Sequence, residues 1–307
     1  MNSVELQQKF LYETEQILTG HHLFPASIHG LPGKTTEPKF QVLTSDGSYF
    51  VKFSPLGQFA PPIMELLALA QKETGSLNLP IISEIRTDLN YQVNVYPWLD
   101  GMDLKAWSAT ATHEECYCQG EQCGELLKSI HKVTATSKPQ NFNIASHMIE
   151  NIDVIARNGI RLPAIEKLVT EPSVYISALQ RDGPAALVHF DFKPKNIMHT
   201  RGRNVVVDWD SSAIADPWLD FWDKGISLHP KREAFSTGML DGYFEHNVPS
   251  AFWEYFHALS LFACLQSAVW AIKRKDISHI SLLNDYLFTS YQDFKKIVPV
   301  WYETNHQ

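Results

Sequence analysis

Between Leu187 and Asp210 the chain reads Leu187-Val188-His189-Phe190-Asp191-Phe192-Lys193-Pro194-Lys195-Asn196-Ile197-Met198, then Val205-Val206-Val207-Asp208-Trp209-Asp210. The pattern is H-x-D-x-K-P-x-N, followed by three valines and D-W-D. A carboxylate can take a proton, carboxylate and carboxamide oxygens suit a hard divalent cation, and a lysine presents a point charge to an anion. A lone Asp or Asn between strands is an ordinary polar loop residue. Here several such residues share one short segment with strand-like runs on both sides.

The segment resembles the catalytic loop and metal-binding segment of the kinase superfamily. The D-W-D ending and the later Asp216-Pro217-Trp218-Leu219-Asp220 are similar to the aminoglycoside phosphotransferase and choline kinase branch. No A-P-E segment follows, so protein kinases match less well. By motif order the resemblance runs from Phe40 to Asp223 and is strongest over 187–223.

The resemblance implies an α+β, bilobal, protein-kinase-like fold with a β-rich N-terminal lobe and a mainly helical C-terminal lobe. It implies a small-molecule kinase moving the γ-phosphate of ATP or GTP, with Mg2+, onto a hydroxyl of an aminoglycoside-like or other amine-bearing acceptor. A metabolic kinase for choline, an amino alcohol or a sugar, and a non-catalytic nucleotide-binding relative, are the alternatives.

Phosphoryl transfer needs in-line positioning and cations for the spreading negative charge. By resemblance Asp191 takes or orients the proton of the attacking hydroxyl. Asn196 and Asp208 hold the magnesium, Lys193 leans on the γ-phosphate, and His189 braces the loop. Lys52, in Tyr49-Phe50-Val51-Lys52-Phe53, is assigned to the α- and β-phosphates with Glu65 as its acidic partner. Pro97 offers its carbonyl and Leu99 its N–H to the base, with Trp98 as donor if the register slips by one. Asp216 and Asp220 brace the catalytic loop, and His131 is structural.

The elements that must position these residues can be read from pattern. Residues 1–20 have helical periodicity. Lys39–Leu43 and Tyr49–Phe53 are strand-like and separated by Ser45-Asp46-Gly47, a hairpin signal. Ile63–Lys72 reads as a helix, and Ile81–Ile85 and Tyr91–Val95 as strands. Beyond Tyr96-Pro97-Trp98-Leu99-Asp100-Gly101 helical patterns dominate: 123–132, 251–274 and 282–297. The division expected is 1–96 as nucleotide-binding lobe and 97–307 as the helical lobe with catalytic loop and acceptor pocket. Gly30-Leu31-Pro32-Gly33-Lys34-Thr35-Thr36 contains Gly-Lys-Thr, but a P-loop needs glycine where Ile28 stands, and no strand is evident before it. This run is expected either to form the turn covering the phosphates, with Lys34 or Thr35 near them, or to be a plain hairpin turn.

With 44% hydrophobic and 20% charged residues, the 307-residue chain has the balance of a globular protein. A net charge of −8 disfavours a nucleic-acid partner. The N-terminus lacks a basic region followed by an apolar run, and Phe256–Ile272 is interrupted by His257, Ser260, Gln266 and Ser267, so it reads as a core helix rather than a membrane span. Four cysteines suit a reducing compartment. The spacing of His113, Cys116, Cys118 and Cys123 does not fit zinc. A cytoplasmic monomer or dimer is expected. Asp223, Asp241, Glu245 and Glu254, with Trp218, Trp222, Tyr243 and Trp253, are the candidates for an acceptor pocket suited to a cation; the alternative is that the acids lie on the surface and the aromatics in the core.

Overall fold

The computed structural model describes residues 3–32, 37–56, 61–86, 90–134, 144–161, 163–181, 183–222, 230–275 and 277–306. They form two compact units, Met1–Asp103 with Asn196–Asp210, and Leu104–Lys195 with Ser211–Gln307.

The first unit opens with α1 (Ser3–Gly20), followed by β1 (Pro25–Gly30), β2 (Lys39–Thr44), β3 (Ser48–Pro55), α2 (Pro61–Thr74), β4 (Ile82–Arg86), β5 (Tyr91–Pro97) and the short β6 (Met102–Asp103). Strands β1 to β5 make an antiparallel sheet in the order β1-β2-β3-β5-β4. Strand alternation sorts its two faces. Phe40, Val42, Val51, Phe53, Val93 and Val95 point one way and pack with Phe10, Ile17 and Leu18 of α1 in one buried cluster. Lys52, Ser54 and Asn94 therefore point the other way, and all three are buried too. A central strand covered on both faces explains how a lysine comes to be buried there.

β1 was not evident in the sequence. Its residues are poor strand formers, and it is an edge strand paired only with β2. Because Gly30 leads from one strand into another, the Gly-Lys-Thr run is not followed by the helix a P-loop requires. Residues 33–36 of that run lie outside the described residues.

The second unit is mainly helical: α3 (Leu104–Trp107), α4 (His113–His131), α5 (Ile144–Arg157), α6 (Pro163–Thr170), α7 (Pro172–Leu179), α8 (Pro230–Phe244), α9 (Ser250–Arg274), α10 (Ile277–Ser290) and α11 (Val300–Thr304). A two-stranded antiparallel pair, β7 (Ala186–Val188) with β10 (Ala213–Ala215), lies within it. In chain order between them come β8 (Ile197–Thr200) and β9 (Arg203–Val206), which join β6 as a three-stranded sheet of the first unit.

α4 starts ten residues before the helix expected from sequence. Thr112 caps it: its hydroxyl accepts from the Glu115 N–H while the Glu115 carboxylate accepts from the Thr112 N–H. α4 and α8 pack through glycines spaced four apart, Gly120 and Gly124 against Gly238 and Gly242. A Cβ at any of them would stand 2.0–2.2 Å from a backbone oxygen of the facing helix.

α9 is long and apolar enough, by length and composition, to cross a membrane. Here most of its side chains are buried in the core of the second unit, where it packs with α5, α7 and α10. Helix α10 ends at Ser290 rather than continuing to 297, and Gln292, Asp293 and Phe294 take left-handed backbone angles that no helix tolerates. The antiparallel sheet of the first unit and the helices of the second match the α+β class expected from sequence.

Candidate active site

In the first unit the site is built on the buried polar face of β3. The Lys52 ammonium, on a side chain only 5% exposed, lies 2.6 Å from Asp208 Oδ1 and 2.5 Å from Asp210 Oδ2. The Ser54 hydroxyl donates to Asp210 Oδ2 at 3.2 Å. Burial works against the lysine's charge, but the two carboxylates outweigh it and raise its pKa above the ordinary value. The same burial and carboxylates push the neighbouring Tyr96 hydroxyl far up.

Asp208 and Asn196 meet at the end of the β8–β9 hairpin. The ladder pairs Ile197 with Val206, and the Val207 N–H continues it by donating to the Asn196 carbonyl at 2.9 Å. Asn196 and Asp208 thus stand at neighbouring backbone positions of one hairpin end. Asn196 is buried, and Asp208 takes a left-handed backbone angle, φ 65°, uncommon for a residue with a Cβ and often found at functional sites.

Asp210 is the functional residue that sequence reasoning passed over. Its Oδ1 is buried without a hydrogen-bond partner among the described residues. A buried carboxylate oxygen left without a donor is costly unless a cation meets it. The signal was the repeat of aspartate two residues after Asp208.

Glu65 is not the partner of Lys52. It is exposed on α2, and no ion pair among the described residues joins the two. Asp208 and Asp210 already occupy the ammonium, so the expected pair is replaced by a pair from the D-W-D segment. At the end of β5, the Pro97 carbonyl accepts from Asn78 Nδ2 at 3.2 Å. The Trp98 N–H donates to the Ser48 carbonyl at 3.0 Å, which leaves the one-residue slip without its donor. No described residue accepts from the Leu99 N–H.

The second unit carries Asp191 on a braced turn. Asp220, fully buried, accepts from the N–H groups of His189 (2.8 Å) and Phe190 (2.6 Å). Phe190 is left-handed, φ 61°, and its carbonyl accepts from Trp222 Nε1 at 2.8 Å. The Asp191 N–H donates to His189 Nδ1 at 3.2 Å, so His189 braces the turn from inside.

Behind Asp220 stands His131, 3.0 Å from its Oδ2 and bonded on its other nitrogen to the Tyr243 hydroxyl. Burial alone would raise the Asp220 pKa, but His131 and the backbone donor hold it below the usual carboxylate range. Asp216 caps the turn Pro217–Phe221 through the Trp218 N–H, and burial raises its pKa against that bond and the Arg181 charge. The Asp191 carboxylate is ion-paired with Lys193 and lies 3.4 Å from Lys195 Nζ.

The acidic residues expected around an acceptor do not gather. Asp241 is fully buried and takes hydrogen bonds from the Tyr117 and Tyr302 hydroxyls, with His306 Nε2 3.0 Å away. Glu245 is exposed and paired with Lys128, and Glu254 is exposed on α9. Asp223 lies outside the described residues. Tyr243 and Trp253 are buried, and Trp218 packs edge-on against Phe252 and Tyr255. Beside the Asp191 turn lies instead a cavity of about 190 Å³, walled by Phe190, Leu219, Trp222, Leu259 and Phe262 with Gln266.

Comparison with known proteins bears on these observations. No curated protein matches the chain in sequence. Among solved structures it is similar to a spectinomycin phosphotransferase in complex with ADP and spectinomycin (14% identity, TM-score 0.65, 96% of this chain and 98% of that one). It is similar to a choline/ethanolamine kinase family protein from Mesorhizobium loti (18%, 0.61, 89% and 91%). It is also similar to a GDP complex of an aminoglycoside 2'-phosphotransferase (16%, 0.64, 94% and 99%). At these identities the likeness is one of fold. The model of the phosphotransferase enzyme family, however, matches residues 27–253, a span that holds the Lys52 cluster, the braced Asp191 turn and the hairpin of Asn196 and Asp208. The chain belongs to the phosphotransferase enzyme family.

Proposed function

We propose that this protein transfers the γ-phosphate of ATP or GTP to a hydroxyl of a small molecule, with Asp191 as the residue that receives the hydroxyl proton. The observation that carries this reading is the buried Lys52–Asp208–Asp210 cluster beside Asn196. A buried lysine able to meet phosphates, with carboxylate oxygens beside it able to meet a hard cation, suits a metal-bound polyphosphate. The related structures bound to ADP and to GDP support a nucleoside triphosphate as donor.

Asn196 and Asp208 would hold Mg2+, and the buried, unpartnered oxygen of Asp210 fits the hard oxygen-donor set that this ion takes. When bound, the ion would neutralise charge on the phosphates. Lys52 would meet the α- and β-phosphates, and Pro97 and Leu99 the base. Lys193 is paired with Asp191 in the structure. Meeting the γ-phosphate instead would draw it off the carboxylate, leaving Asp191 to Lys195 and to the incoming hydroxyl. As the hydroxyl oxygen bonds to the γ-phosphorus, the bond to the β–γ bridging oxygen breaks, the nucleoside diphosphate leaves, and the proton passes to Asp191.

In this reading the first unit, 1–103 with 196–210, serves the nucleotide, and the second carries the Asp191 turn and the acceptor pocket, in a cytoplasmic monomer or dimer acting on neither nucleic acid nor membrane. Lys52, Asp191, Asn196 and Asp208 are all present in the sequence, which weighs against a non-catalytic relative. The test is diphosphate release from ATP and from GTP across aminoglycosides, choline and amino alcohols, sugars and aromatic alcohols, with magnesium and with a chelator. Acceptor-dependent release that the chelator abolishes is expected. Tight nucleotide binding with no acceptor stimulating release would favour the non-catalytic reading.

A further inference from the structure

We propose that the cavity beside Phe190 receives an uncharged apolar group of the acceptor, so that the substrate is an alcohol bearing an aromatic or short aliphatic group rather than a polycation. The inference rests on the kinase reading and adds the class of acceptor.

The walls come from four places in the second unit. Leu259, Phe262 and Gln266 lie on one face of α9, Ile144 opens α5, Leu219 comes from the turn that Asp216 caps, and Phe190 and Trp222 close the side next to Asp191. The last two are fixed to each other by the bond from the Trp222 indole to the Phe190 carbonyl, and Phe190 is held from behind by Asp220. A group seated here lies against Phe190, the residue that directly precedes Asp191, within reach of an acceptor whose hydroxyl meets that turn.

The chemistry of the wall selects what enters. Among the described residues that line it, the polar side-chain groups are the neutral amide of Gln266 and the Trp222 indole N–H, already given to the Phe190 carbonyl, and none is a carboxylate. A multiply charged amine would give up its water for hydrocarbon and one amide, which costs several kcal/mol. Among the described residues, Asp241 is engaged by two tyrosines and His306, and Glu245 by Lys128. An apolar group loses little on entry and gains about 25 cal/mol for each Å² taken from water. The size also fits, since an apolar protein cavity of ~150 Å³ holds benzene.

The experiment is ligand-observed NMR of the full chain with benzyl alcohol, which needs no turnover and so stands apart from the kinase reading. Two substitutions, Leu259→Trp and Ile144→Phe, fill the cavity from different elements, so that failure of one to fold leaves the other. Benzyl alcohol should bind the unaltered protein, and each filled, folded variant should weaken it at least tenfold with nucleotide affinity changed less than twofold. Choline and streptomycin should fail to displace it, and in the release assay aromatic alcohols should lose at least tenfold in kcat/KM in the same variants. Absence of benzyl alcohol binding, equal binding by a folded filled variant, or displacement by choline or streptomycin would overturn the proposal. Loss of nucleotide-dependent release with benzyl alcohol binding intact would instead strike at the kinase reading alone.

Discussion

Lys52 is the residue on which the first unit's chemistry turns. Its charge is stabilised by two carboxylates, and they in turn are tolerable in a buried setting only because it lies between them. Removing one partner of such a set strands the rest, at about 3–5 kcal/mol for fully buried pairs. Asp208 is a third exposed, which argues for the lower end. Lys52→Met should therefore lower unfolding stability by roughly 3 kcal/mol, and Asp210→Asn in the same chain should recover more than 1 kcal/mol of it. Denaturant midpoints of the two single variants and the double variant measure this, and strict additivity would show that the cluster is not coupled. The folded pKa of Lys52 lies above the unfolded one, so this contribution is whole below about pH 10.4 and fades only in stronger alkali.

Sequence alone led to Lys52, Asn196 and Asp208 because each sits in a motif whose spacing is short. It paired Lys52 with Glu65 because helices after this strand supply such a partner in the resembling family. It could not show that two aspartates 156 and 158 residues away in the chain had already filled the place.

At the scale of elements, legibility followed local propensity. β2, β3, β4 and β5 announced themselves by β-branched and aromatic residues with turn residues between them. β1 did not, because an edge strand of Pro25-Ala-Ser-Ile-His-Gly draws its order from β2. α8 was missed because its Gly238 and Gly242 are poor helix formers placed there to let α4 approach. The start of α4 was there to be read, in the Thr112–Glu115 capping box.

α9 carries a liability of its own. His257 lies in the core beside Tyr175, Tyr291 and Phe294, with its Nε2 lacking a partner among the described residues. Burial, and secondarily the Lys167 charge, lower its pKa to about 4. The unfolded chain binds this proton more tightly, so stability rises with pH between about 4 and 6.5, by on the order of 3 kcal/mol. Asp220, depressed, loses its contribution only as pH falls below the ordinary carboxylate range, and Asp216, raised, loses its own as pH climbs. Neither produces a gain in this window. Urea unfolding at pH 4.5 and 6.5 should show the loss in the unaltered protein and most of it gone in His257→Phe. An identical pH dependence in both would remove His257 as the cause.

For the molecule as a whole, the order β-rich then helical was visible in the sequence because the two halves differ in periodicity. The return of 196–210 to the first unit was not visible, since it depends on β6 pairing with β8 across nearly a hundred residues. The acceptor side was the least legible part. Acidic and aromatic residues close in sequence suggested a cation site, yet the fold spends them on a buried hydrogen-bond cluster, on surface pairs and on core packing.

Transfer in this mechanism depends on Asp191 meeting the acceptor hydroxyl, and one comparison tests that directly. With the best acceptor from the panel, kcat and nucleotide Kd are measured for the unaltered protein and for Asp191→Ala, each first shown to be folded. A group that takes a proton in the reaction is worth ~10²–10⁴-fold in rate. The variant should therefore lose that much in kcat while nucleotide Kd moves less than about threefold, because the role assigned to Asp191 is toward the acceptor hydroxyl and not toward the nucleotide. Near-unaltered kcat in a folded Asp191→Ala protein would contradict the mechanism.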